Sequence, residues 1–131
     1  WSMDGKTCGA LFPNVTAEDR KTGHVYMIGL PSVFIMAHPD YVRVVRVTPL
    51  GAEQTELSVE FLFMPEVIAD PAFDPGNAVR FADLVMSEDA AVCERNQQGL
   101  RAVPHARGVL MPEEYVVHQF QKWVQSELTR S

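Results

Sequence analysis

Thr55-Glu56-Leu57-Ser58-Val59-Glu60-Phe61-Leu62-Phe63-Met64 is the clearest alternation in the chain. Leu57, Val59, Phe61 and Phe63 face one way and Glu56, Ser58 and Glu60 the other. That is the period of a strand with one buried and one wet face. Upstream, Tyr41 to Thr48 is β-branched, with Arg43 and Arg46 interspersed, and ends at Pro49-Leu50-Gly51. The connection between these runs is far shorter than the dozen or so residues a parallel crossover needs, so they form an antiparallel meander. Two further apolar runs, Val25 to Leu30 closed by Pro31 and Val33 to Ala37, extend the strand region over 25–64. His38-Pro39-Asp40 supplies the intervening turn.

Helical periodicity takes over beyond Met64. Pro65 to Phe73 reads as a short helical turn or loop, and a long helix is expected over 74–98. Asp74 can accept from its free backbone N–H groups, Pro75 suits its first position, and Gly99 should end it. Leu100 to Leu110, with Pro104 and Gly108, reads as loop or edge strand. A second helix is expected over 112–130, opened by Pro112, Glu113 and Glu114. Its Val117, Phe120, Val124 and Leu128 form a stripe suited to packing on the sheet. Residues 1–23 read as a loop-rich lead-in from which Leu11, Phe12 and Val15 can tuck onto a core.

Wound at helical pitch, the first long helix places Ala78, Ala82, Val85, Val92 and Cys93 around Asp89. Glu88 lies at the edge of this stripe, so Asp89 alone is expected to point inward. A buried, ionised carboxylate without a partner costs several kcal/mol or more, so a cation or several hydrogen bonds must compensate it. Two readings follow from the residues themselves: a hydrogen-bonded structural acid, or a metal-ligating or catalytic one.

Composition bounds the rest. The chain has 131 residues, 47% of them hydrophobic, which is sized for a single domain over 1–131 with a real core. A net charge of -6 without a basic cluster disfavours a nucleic-acid partner. No apolar run approaches the ~20 residues of a membrane span, and the amino end lacks the pattern of an export signal. Cys8 and Cys93 are too few for a disulfide framework, so a reduced, cytoplasmic protein is expected. His24, His38, His105 and His118 occur singly, without the spacing of a self-contained metal site, and surface or satisfied structural roles are expected for them. No nucleophile elbow or phosphate-cradling glycine loop is present.

The ordered set Ser87-Glu88-Asp89-Ala90-Ala91-Val92-Cys93-Glu94-Arg95-Asn96-Gln97-Gln98-Gly99-Leu100, Arg107-Gly108, Pro112-Glu113-Glu114 and Phe120-Gln121-Lys122-Trp123-Val124 resembles the end of the alpha subunit of Rieske-type ring-hydroxylating oxygenases. The likeness extends back through Tyr41 to Pro49 and the strand ending at Met64-Pro65, and so covers nearly all of the chain. It implies an α+β, helix-grip (START/Bet v1-like) fold, an antiparallel sheet packed on a long carboxy-terminal helix. It also implies a mononuclear Fe(II) held by two histidines and one carboxylate. Asp89 matches that carboxylate, and Val85, one turn earlier, becomes a candidate substrate-pocket wall.

Neither the two histidine ligands of the family nor the Cys-x-His and Cys-x-x-His pairs of its [2Fe–2S] Rieske cluster occur in this sequence. With no initiator methionine at Trp1, the expectation is a carboxy-terminal catalytic-domain fragment that does not turn over alone. The implied reaction hydroxylates or demethylates a small, aromatic organic substrate with O2 and electrons from NAD(P)H, delivered by a reductase or ferredoxin. A homo-oligomer is expected, because a partial sheet exposes an edge and an apolar face. The alternative is a non-catalytic helix-grip module that binds an apolar ligand or a partner chain, with Asp89 engaged by Arg or backbone N–H groups.

Overall fold

A computed structural model describes residues 1–102 and 108–130. The architecture is α+β: four antiparallel strands plus helices, one of them long. Two compact units are formed, Trp1–Val92 and Cys93–Ser131.

In the first unit the strands are β1 (Val25–Gly29), β2 (Val33–Ala37), β3 (Val42–Pro49) and β4 (Thr55–Leu62), in the spatial order of the sequence. This is the expected meander, extended to all four strands. Register places Tyr26, Met36, Arg43 and Phe61 in one row and Ile28, Phe34, Val45 and Val59 in the next. These rows share the buried face, on which Met36, Arg43 and Val45 are 3–5% exposed. On the opposite face Arg46 and Glu60 form an exposed pair at 3.4 Å, of a kind worth roughly 0–1 kcal/mol.

The lead-in is more ordered than its composition suggests. A short helix, α1 (Ala17–Thr22), opens with a capping box: Thr16 N–H donates to Asp19 Oδ2 at 2.8 Å, and Asp19 N–H to Thr16 Oγ1 at 3.2 Å. These reciprocal bonds satisfy donors that a helix start leaves free. They also hold the Asp19 carboxyl below its usual range, chiefly through the Thr16 hydroxyl. Before α1, the first residues lie along the start of the long helix. Met3 N–H donates to Asn77 O, and Asn77 Nδ2 to Asp4 Oδ1 at 2.6 Å.

After α2 (Pro65–Ile68), the long helix α3 runs over Gly76–Ala102. Asp74 acts as expected, its Oδ1 accepting from Gly76 N–H at 2.8 Å. The helix does not stop at Gly99. Nothing lies within 4 Å of where a Cβ would sit there, and the flanking Glu94, Arg95, Gln97, Gln98, Leu100 and Arg101 are good helix formers. One glycine costs about 1 kcal/mol, which such neighbours outweigh. Residues 100–102 are therefore helical rather than loop or edge strand, and 103–107 lie outside the described residues.

In the second unit, a 3₁₀ turn at Pro112–Glu114 leads into α4 (Tyr115–Leu128). Its start is tied by Met111 N–H donating to Glu114 Oε2 at 2.7 Å. No residue of α4 is buried, and Val117, Phe120 and Leu128 are all open. The apolar stripe read from the sequence exists as a stripe, but its side chains are not core.

Candidate functional site

Asp89 and Val85 are both on α3, one turn apart, as the periodicity requires. Their environments differ from expectation. The buried part of the α3 stripe is its beginning, with Ala78 and Ala82 at 0 and 3% exposure and Phe81, Val85 and Met86 half-buried. From Ser87 to Arg101 every side chain of α3 is open, including Asp89 and Val92, the latter 63% exposed. Asp89 is therefore a solvated carboxylate in this chain and not the desolvated acid that the helical wheel suggests. A helical pattern reports which residues share a face, not whether a second layer covers it. No Arg or backbone N–H engages the Asp89 carboxylate among the described residues.

The described residues hold no group of three or more His, Cys, Asp or Glu able to grip one metal ion. A ferrous centre of the family type takes two histidines and one carboxylate, and the described residues bring no such set together. A groove of about 450 Å³ elsewhere in the first unit is lined by Cys8, Glu66, Val67, Asp70, Phe73 and Asp74. Two of its acids serve local turns: Asp70 Oδ1 accepts from Ala72 N–H and Asp74 Oδ1 from Gly76 N–H. Neither Asp89 nor Val85 lines it.

The polar chemistry of the first unit gathers instead on the buried face of the sheet, in residues that motif and spacing do not single out. His38 is 5% exposed, and neither ring nitrogen has a hydrogen-bond partner among the described residues. Its ring stacks on Tyr41 at 4.4 Å between centroids. Burial, reinforced by nearby positive charge including Arg43, lowers its pKa to about 4, so the imidazole is neutral at pH 7. Tyr41, 3% exposed, donates its hydroxyl to Trp1 O at 2.8 Å, and burial pushes its phenol up to about 12. Trp1 Nε1 in turn donates to His24 Nδ1 at 2.8 Å, and the Trp1 ring meets Phe81 edge-on.

Arg43 lies beside this cluster at 3% exposure. Its Nη2 donates to Met36 Sδ at 2.8 Å, a weak acceptor, and its Nε has no partner among the described residues. Among the described residues no carboxylate is within ion-pair distance of it. Asp40, also 3% exposed, is engaged by Cys8 N–H at 2.7 Å. Three buried nitrogens thus go unsatisfied, at roughly 1–3 kcal/mol each and more for a charged group. The sequence does carry a signal for Arg43. It has the parity of Val45 and Val47, whereas Arg46 has the opposite parity, so the two arginines cannot share a face.

Known proteins place the chain firmly. Residues 1–130 match the family described as the ring hydroxylating alpha subunit, catalytic domain. The chain belongs to that family. Its members are Rieske-type oxygenases. A curated relative, the chloroplastic choline monooxygenase of Beta vulgaris, is 28% identical over 105 residues, covering 79% of this chain. The matched region spans 23% of that protein's length. No helix among the described residues is long and apolar enough to cross a membrane.

Proposed function

We propose that this chain is the carboxy-terminal part of a single catalytic domain of a Rieske non-haem iron oxygenase. In the whole protein that domain hydroxylates or demethylates a small organic substrate with O2 and NAD(P)H-derived electrons, received from a reductase or ferredoxin. The observation that carries this reading is the family match over residues 1–130. Asp89 is proposed as the carboxylate ligand of the mononuclear Fe(II), whose two histidines come from elsewhere in the polypeptide. That role rests on the family resemblance of the segment around Asp89 and not on its surroundings, which are open. Val85, half-buried on the preceding turn, is proposed as a wall of the substrate pocket, and the domain as a helix-grip.

With one ligand of three and no cluster-binding pairs, the 131 residues alone do not turn over. The non-catalytic alternative requires Asp89 to be held by Arg or backbone N–H groups, and no such bond is formed among the described residues. The test is O2 uptake coupled to NAD(P)H oxidation by the intact polypeptide carrying this chain, with its reductase and small aromatic substrates. Substrate-dependent uptake that stops in Asp89→Ala is expected; uptake unaffected by that substitution overturns the assignment of Asp89.

A further inference from the structure

The start of the lead-in joins two parts of the first unit. On one side it is tied to the turn between β2 and β3: the Tyr41 hydroxyl donates to Trp1 O at 2.8 Å, Cys8 N–H to Asp40 Oδ2 at 2.7 Å and Phe12 N–H to Pro39 O at 2.9 Å. Tyr41 and Asp40 are each 3% exposed, so these anchors belong to the core. On the other side it is tied to the start of α3. Met3 N–H donates to Asn77 O at 3.2 Å and Asn77 Nδ2 to Asp4 Oδ1 at 2.6 Å. A tight turn, in which Lys6 N–H also donates to Asp4 Oδ1 and Ser2 Oγ donates to Lys6 O, holds the Asp4 carboxylate in place. Between the two sides lies the Trp1 ring, edge-on to His24 at 4.9 Å and to Phe81 of α3 at 6.2 Å.

We infer that Trp1–Asp4 is a strap that sets the tilt of α3 on the sheet, and that Trp1 and Asn77 are thereby positioning residues for Asp89 and Val85. The inference rests on the oxygenase reading. The beginning of α3 is buried at Ala78 and Ala82, whereas every described side chain from Ser87 on is open, so no packing beyond that point corrects the place of Asp89. A helix transmits a tilt as a rigid rod. At about 1.5 Å per residue, a shift of about 1 Å at Asn77 around a pivot at Ala82 moves Asp89 by about 1.4 Å. Displacements of that size at a reacting centre are costly even when their origin is remote.

The test uses the intact polypeptide carrying this chain, with Fe(II) affinity read by chelator competition and ligand geometry read from the visible absorption of the Co(II)-loaded protein. Asn77→Ala removes the amide but keeps the helix and the backbone bond to Met3. It should weaken Fe(II) by about tenfold and alter the spectrum at saturating Co(II), with a thermal midpoint within about 4 °C of the parent. The double substitution Asp4→Asn with Asn77→Asp rebuilds the bond with donor and acceptor exchanged, and should restore both the affinity and the spectrum. Trp1→Ala should act in the same direction as Asn77→Ala, and Trp1→Phe, which keeps a ring against Phe81, should lie between it and the parent. Should Trp1→Ala not fold, Asn77→Ala and the double variant decide the matter, because the Asn77 and Asp4 side chains meet in solvent. A merely structural strap lowers the thermal midpoint and leaves the saturated Co(II) spectrum as it is. Parental affinity and spectrum in Asn77→Ala or in a folded Trp1→Ala, or no recovery in the double variant, overturns the proposal. Asp89→Ala in the same series separates the two readings. Metal lost in Asp89→Ala but held normally in the strap variants sinks the strap alone, and metal held normally in Asp89→Ala sinks the ligand assignment and the strap with it.

Discussion

Protonation of His38 should make the first unit acid-labile well above the range in which carboxylates titrate. Its pKa of about 4 in the folded chain lies below the ordinary 6.5, because burial against Tyr41, reinforced by the nearby positive charge of Arg43, opposes the imidazolium. The unfolded chain therefore binds the proton first. Stability from this group is complete above about pH 6.5 and is lost as pH falls toward 4. The shift of roughly 2.5 units corresponds to at most about 3 kcal/mol, of which about 2 kcal/mol should disappear between pH 7 and pH 5. Urea unfolding followed by circular dichroism at pH 7, 6 and 5 reads this directly, with His38→Phe as the comparison. Phenylalanine keeps the stack on Tyr41 and removes both unbonded nitrogens, so the variant should be at least as stable as the parent at pH 7 and lack this part of the pH dependence. A parent and a variant that lose the same stability between pH 7 and pH 5 would refute the reasoning. So would an NMR titration of His38 with a midpoint near 6.5.

Other substitutions probe the elements around it. Gly99→Ala should stabilise α3 by up to about 1 kcal/mol, because the backbone there is helical and the added methyl meets open space; thermal unfolding reads the gain. Gly9→Ala should cost about 1–3 kcal/mol, since its Cβ would come 2.7 Å from Val67 Cγ1 and that side chain is buried; a loss below about 0.5 kcal/mol in urea unfolding would mean that Val67 moves freely. Asp74→Ala should cost about 1 kcal/mol by removing the acceptor for Gly76 N–H, and Asp74→Asn should recover most of it.

How much of the fold and the candidate site is legible in the sequence depends on whether a neighbour or a distant segment decides the outcome. The strands are readable because period-two alternation and short connections are local, and β4 shows both. The Asp74-Pro75 start of α3 is equally plain. The end of α3 is not, because a glycine is a weak helix breaker when its neighbours favour helix. The helix at Ala17–Thr22 has its own local mark, Thr16 three residues before Asp19, but the glycines and proline around it overshadow that signal. Asp89 and the α4 stripe depart from expectation in a shared way. Both sit on faces that periodicity marks as inward, yet burial requires a second layer that the pattern does not encode. His38 is the converse case, a histidine in a turn signal that is buried with its ring stacked on the nearby Tyr41 and met by Trp1 from a distant part of the unit. The proposed iron ligand is accessible through family resemblance and not through physics, since an exposed aspartate on a helix is indistinguishable from any other.

Whether Asp89 is an iron ligand is decided by mononuclear iron per polypeptide in the intact protein, measured for the parent and for Asp89→Asn. Asp89 is open, with no partner among the described residues, so this substitution should change stability by less than about 0.5 kcal/mol. Any loss of metal then reports ligation rather than misfolding. Asp89→Asn is expected to lose most of its mononuclear Fe(II) while the visible absorption of the [2Fe–2S] cluster is retained. A variant that keeps both its full iron content and its affinity for the metal would contradict the assignment.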